Sequence, residues 1–141
     1  MQISNVLSKH QLVGLNFSQA SCAASQSAVA LYTQEVDATV LDNVGYTMPF
    51  AGEVIGVTIN TSAAATAGTL TIVPTIDTTA CTDPSAAITT AVVESDTCKR
   101  GTNPFAAEAV IGAKITTDGT WNGTTVDLQV TVWVLLAISG I

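Results

Sequence analysis

Few side chains in this sequence could do chemistry, and they are scattered along it. His10 is the single imidazole. A serine or cysteine nucleophile needs such a base within hydrogen-bond reach. His10 stands in an N-terminal stretch with no sustained strand pattern, so a catalytic triad is not expected. Carboxylates recur in pairs, Glu35 with Asp37 and Glu94 with Asp96. Their spacing puts both members on one face of a strand, where acid–base work is conceivable and a solvated strand edge is the simpler expectation. Asp118 and Asp127 lie beside Trp121, as polar groups lie beside an aromatic sugar platform. A single tryptophan between Gly119 and Gly123 suits a lid on the core better. Lys99 and Arg100, the one adjacent basic pair, are expected at a solvated loop tip.

Cys22, Cys81 and Cys98 lack the close spacing by which one loop supplies two zinc ligands, and His10 is far upstream. Cys81 and Cys98 flank a stretch expected to form a hairpin-like excursion. A disulfide between them is one alternative, stabilising by roughly 3 kcal/mol in the chain-entropy picture, and free thiols are the other. Cys22 is left over. No glycine-rich phosphate loop, calcium loop or dinucleotide fingerprint occurs. The chain is therefore expected to be no enzyme and to need no cofactor or metal.

Composition points the same way. The chain has 141 residues, 48% hydrophobic and 11% charged, enough for one good core and too apolar for disorder. Its net charge of −7 sets a repulsive field against a polyanion, so nucleic acid is not an expected partner. Residues 132–138 form an unbroken apolar run far below the roughly 20 residues of a membrane-spanning helix, and no membrane association is expected. Lys9 followed by Leu12, Val13, Leu15 and Phe17 invites comparison with a secretory signal. Asn16 and Ser18 interrupt the apolar stretch, and Gln19 stands where a lipoprotein signal carries an aliphatic residue. Tripeptides of the form Asn-x-Ser/Thr at Asn16, Asn60 and Asn122 are expected by chance in so Thr-rich a chain.

The dominant periodicity is two, broken by Gly, Pro, Asn, Asp and Thr clusters, which predicts an all-β fold. Strands are expected over 28–36, 44–50, 52–60 (with Ile55, Val57 and Ile59 sharing a face), 70–76, 86–93, 110–117 and 126–138. Pro74 cannot donate to a ladder and predicts an edge or a bulge. The last segment alternates from Val126 to Leu136 and turns apolar on its second face at Trp133 and Leu135, which predicts a central strand covered on both sides near its end. Threonine is the commonest residue, as suits pleated, half-solvated surfaces. Together these predict a single β-sandwich over 28–141. Residues 1–27, with isolated apolar groups among Ser, Gln and Asn, are expected to form an N-terminal arm that gains order on another surface.

Several of these segments resemble small virion proteins of tailed bacteriophages, the capsid decoration or cement proteins and related head and tail modules. The resemblance lies in Met48-Pro49-Phe50-Ala51-Gly52, Ala67-Gly68-Thr69-Leu70-Thr71, Phe105-Ala106-Ala107 and Ile111-Gly112-Ala113-Lys114-Ile115-Thr116-Thr117-Asp118. It covers about two-thirds of the chain, over residues 44–136, and its motifs are turns and strands rather than reactive residues. Glu108 stands where the family pattern has a Gly-Asp turn, and the stretch from Cys81 to Cys98 has no counterpart in it. The resemblance implies a jelly-roll-like sandwich that forms a homotrimer on the outer surface of the virion head and contacts the major capsid protein. A terminal arm would reach a neighbour, with Leu12, Val13, Leu15 and Phe17 as apolar anchors. Two other classes fit the composition: a phage tail or receptor-binding module, and a secreted carbohydrate-binding module.

Overall fold

The computed structural model describes residues 10–33 and 45–138, and among them every regular element is a β-strand. In chain order these are β1 (His10–Gln19), β2 (Val29–Ala30), β3 (Tyr46–Thr47), β4 (Gly52–Thr61), β5 (Leu70–Ile76) and β6 (Thr79–Ala80). They continue as β7 (Ala86–Ile88), β8 (Val93–Thr97), β9 (Pro104–Phe105), β10 (Val110–Thr117) and β11 (Leu128–Ala137). Residues 1–9 of the expected arm, the ends of the expected strands at Val36 and Val44, and the Glu35–Asp37 pair lie outside the described residues.

Two sheets result, one ordered β1-β11-β4-β8 with β9 also on β4, the other β2-β10-β5-β6 with β3 on β10 and β7 on β5. Short segments share positions. β2 and β3 flank successive parts of β10, β6 and β7 successive parts of β5, and β8 and β9 successive parts of β4. Taken so, the described residues fill eight strand positions. The first pairs with the eighth, the second with the seventh, the third with the sixth and the fourth with the fifth. This is the jelly-roll order. The protein is an all-β, jelly-roll sandwich.

Hydrophobic alternation sets the inner faces. On β11, Leu128, Val130, Val132, Val134 and Leu136 are buried while Gln129 is exposed. On β10, Ile111, Ala113 and Ile115 face them from the other sheet. β11 runs between β1 and β4, the central place its two-faced pattern predicts, but Trp133 and Leu135 stay partly exposed, so the second face is not covered as expected. On β4 the expected face is corrected. Val57 and Ile59 are buried, but Val54 takes the core place expected for Ile55. The register against β11 jumps between Trp133 and Val134, and the extra residue of that bulge turns Ile55 partly outward.

Pro74 sits where the outer partner of β5 changes from β7 to β6. Its carbonyl accepts from Cys81 N at 2.9 Å, so the missing N–H falls at the break between two partners. The strand expected over 86–93 is two strands in different sheets, β7 and β8, joined by exposed Thr89, Thr90 and Ala91. In the described part of the strand expected over 28–36, Val29 and Ala30 pair with β10. Tyr32 already bridges to Ser18 of β1, so the chain crosses between sheets there.

The arm expectation is corrected over its described part. β1 pairs with β11 residue for residue from His10↔Ala137 to Gln19↔Leu128. Val13, Leu15 and Phe17 alternate with Gly14 and Asn16, and this short period-two run is enough once β11 supplies a template. Leu15 and Phe17 are buried and Val13 is partly so, leaving Leu12, 54% exposed, as the outward one of the four. Phe17 also meets the Tyr46 ring edge-on at 5.5 Å.

Glu108 adopts φ +70°, and its N–H donates to Met48 O at 2.8 Å. A left-handed turn is where glycine is least strained, which accounts for the glycine in the pattern the sequence resembles there. Replacing Glu108 with Gly relieves that conformation against a smaller loss of chain entropy. The expected gain is about 0.5 kcal/mol, read as a higher midpoint in urea.

Candidate functional site

The groups singled out for chemistry are tied into the scaffold. Asp118 closes the turn after β10: its carboxylate accepts from Thr69 N at 2.9 Å, Thr120 N at 2.9 Å and Thr120 Oγ1 at 2.8 Å. The Thr120 hydroxyl first, and these backbone N–H groups with it, hold its carboxyl below the usual carboxylate range. Asp127 accepts from Ser21 N at 3.1 Å. Between them Trp121 is 2% exposed, and its Nε1 donates to Cys22 O at 3.1 Å. It is a lid on the core, with no ring face left for a sugar.

Glu94 and Asp96 do share one side of β8, an edge strand of its sheet. Their oxygens are engaged by backbone. Ser95 N donates to Glu94, and Asp96 accepts from Ser85 N at 2.8 Å and Thr97 N at 2.9 Å. Carboxylates on an exposed edge oppose pairing with a foreign strand.

Cys22, Cys81 and Cys98 are free thiols, so the disulfide considered for Cys81 and Cys98 is not formed in this structure. The two cysteines do not flank a hairpin: Cys81 follows β6 in one sheet and Cys98 follows β8 in the other. Cys98 Sγ lies 3.3 Å from Val54 O and accepts from Asn103 Nδ2 at 3.4 Å. Burial pushes the Cys22 and Cys81 thiols each up to about 11 and also raises Cys98. All three are protonated at neutral pH, the form that is neither a nucleophile nor a metal ligand. Among the described residues no group of three His, Cys, Asp or Glu side chains could hold a metal ion.

One charged cluster escaped the sequence reading. Glu53 of β4 is 8% exposed and accepts from Arg100 Nε at 2.6 Å and from Gly101 N. Arg100 Nη2 lies 3.5 Å from His10 Nε2, at the start of β1. Arg100 is thus an ion-pair partner rather than a free loop tip. Its partners are 47 and 90 residues away, a separation no local pattern reveals. The cluster rims an open cleft of 350 Å³ whose floor is Gly52, Phe105, Leu135 and Ala137.

The Gly101 N–H first, and Arg100 with it, lower the Glu53 carboxyl from its ordinary 4.5. A carboxyl depressed by folding stabilises fully above its unfolded value, and that contribution is lost as pH falls through the folded value. Replacing Glu53 with Gln is expected to cost about 1–2 kcal/mol at pH 7, mostly through the backbone bond because Arg100 is largely solvated. The gap between wild type and variant should narrow below pH 4.5. Urea unfolding at pH 7 and pH 3 measures both.

No protein-family description and no curated protein sequence matches this chain. Similar solved structures include Desmodium yellow mottle tymovirus, with 13% identity over 91% of this chain and 86% of that one at a TM-score of 0.38. A second is a chain of the acidic stable capsid structure of Helicobacter pylori bacteriophage KHP30, with 13% identity, 91% and 94% coverage and a TM-score of 0.41. A third is a carbohydrate-binding module, CBM36, in complex with calcium and xylotriose, with 19% identity, 89% and 97% coverage and a TM-score of 0.42. Likenesses this distant carry no argument about function; the jelly-roll order stands on the strand pairing alone.

Proposed function

We propose that this chain is a structural virion protein: a decoration or cement protein that binds the outer surface of a phage head as a homotrimer and stabilises the shell. The observation that carries the proposal is that the described chain is spent on one jelly roll. Its carboxylates cap turns and edge strands, and its thiols are held protonated. What remains for function is surface, in a protein with 11% charged residues and a net charge of −7. The segments that resemble phage decoration proteins are the turns and strands that build this body.

A cement protein acts by mass action. It binds the assembled lattice and not the free subunits of the major capsid protein, so occupancy shifts the equilibrium toward the intact shell. A trimer that engages several capsomers gains further through effective concentration. With Leu15 and Phe17 in the chain's own core, the contacts come from the folded body and from Leu12, not from an arm carrying all four residues.

Light scattering should give three times the 14.4 kDa chain mass. Gold-labelled antibody against the chain should decorate the heads of intact virions. Label confined to the tail tip would favour the receptor-binding module, and a virion free of label would end the proposal.

A further inference from the structure

The outer face of the β1-β11-β4-β8 sheet carries a feature that a packing role does not require. Trp133 of β11 stands opposite Gly14 on β1 and Gly56 on β4. With no side chain on either neighbour, the indole lies across the sheet instead of standing up from it. Its Nε1 reaches toward Thr58 Oγ1 on β4, at 3.4 Å. On the other side, a Cβ added to Gly14 would sit 3.0 Å from Cζ3 of the ring. The ring is half-buried by this cradle and keeps an outward side.

On one side the next row is Leu12, Leu135 and Glu53, the last paired with Arg100; on the other side the rows are polar. In the next row along the sheet Asn16, Thr131, Thr58 and Ser95 stand side by side, and beyond them Gln129 faces Asn60. Thr131 Oγ1 donates to Asn16 Oδ1 at 3.0 Å, and Asn16 is exposed. A shallow groove lined by Thr58, Asn60, Val93, Gln129 and Thr131 continues the face away from the indole. From the Trp133 row to the Gln129 row is four residues, about 13 Å along the strands. Carboxylates stand at the margins of this face: Glu94 lines a hollow with Thr58, Val93 and Ser95, and Asp127 one with Asn60 and Gln129.

We propose that this face is a binding site for a neutral, equatorially linked polysaccharide, with Trp133 as its stacking platform. A pyranose presents a flat array of C–H groups to an aromatic face and a rim of hydroxyls to amides and hydroxyls. Extended, equatorially linked chains expose such flat faces in series, whereas coiled α-linked chains need a curved cleft. Hydroxyls and amides make up the rows themselves, and the carboxylates of Glu53, Glu94 and Asp127 around them, in a chain of net charge −7, turn away an anionic ligand. This proposal stands apart from the virion assignment, because it depends only on the sheet face.

Native electrophoresis in gels containing hydroxyethylcellulose, xylan or galactomannan tests it. The folded wild type should be retarded by at least one of the three, equally with and without added salt. Trp133→Ala should weaken that binding at least tenfold, and Trp133→Tyr should keep most of it. Thermal melting of both variants separates lost binding from lost folding, and Trp133→Phe supplies a second folded variant should the alanine variant unfold. No retardation of wild type in any gel overturns the proposal, as does equal retardation of a folded Trp133→Ala. Loss of the trimer in Trp133→Ala, with no retardation of wild type, also overturns it and reassigns the face to subunit contact.

Discussion

Phe17→Ala is expected to destabilise the protein by about 3–5 kcal/mol, the cost of emptying a fully buried aromatic site. Phe17 is 1% exposed, lies opposite Val130 on β11 and packs edge-on against Tyr46. A domain of this size has about 5–15 kcal/mol in all, so the loss is a large share. It should appear as a melting temperature lower by roughly 10–15 °C. The contrast with Leu12→Ala makes the result diagnostic. Leu12 is on the same strand but 54% exposed, and its loss should stay within about 0.5 kcal/mol. An N-terminal arm would give small effects at both positions. By the same logic a chain beginning at Ala28 lacks β1 altogether. It exposes the β11 edge and the side chains of Val130, Val132 and Val134, and it should be recovered aggregated rather than in the supernatant.

Trp121→Ala should cost a similar 3–5 kcal/mol. The indole closes one end of the sandwich, where its Nε1 donates to Cys22 O. Gly123 lies against the ring itself, and a Cβ at Gly68 would collide with the backbone of Trp121. Gly68 has φ +83°, so two independent constraints demand glycine there. Gly68→Ala should therefore lower the unfolding midpoint by an amount comparable to Trp121→Ala. Trp121→Phe fills most of the volume but leaves the Cys22 carbonyl without its donor, and about 1–3 kcal/mol of loss should remain. Chemical denaturation of the four proteins side by side checks the order.

The parts of this fold legible in the sequence are those in which one strand alternates without interruption. β10 and β11 carry their inner faces openly, and the central place of β11 follows from the apolar turn of its second face at Trp133 and Leu135. β4 defeats simple alternation because a bulge opposite Trp133 and Val134 shifts the count by one, which moves Val54 inward and Ile55 out. β1 was hidden because Val13, Leu15 and Phe17 are only three alternating apolar residues; what orders them is the exposed edge of β11, more than a hundred positions away. The split outer strands are too short to leave a period. Trp121 as a core lid was readable from its flanking glycines. The Glu53–Arg100–His10 cluster and the Gly14–Trp133–Gly56 row were not, because each is assembled by cross-strand register between residues far apart in the chain.

The central claim, that this jelly roll stabilises a phage shell from outside, is tested most directly by co-sedimentation of the purified chain with expanded, empty capsids of the phage proposed to carry it. The account predicts saturable co-sedimentation as a trimer and shells that survive higher temperature when occupied. A folded chain that stays in the supernatant at tens of micromolar, with shells no more heat-resistant than bare ones, would contradict it.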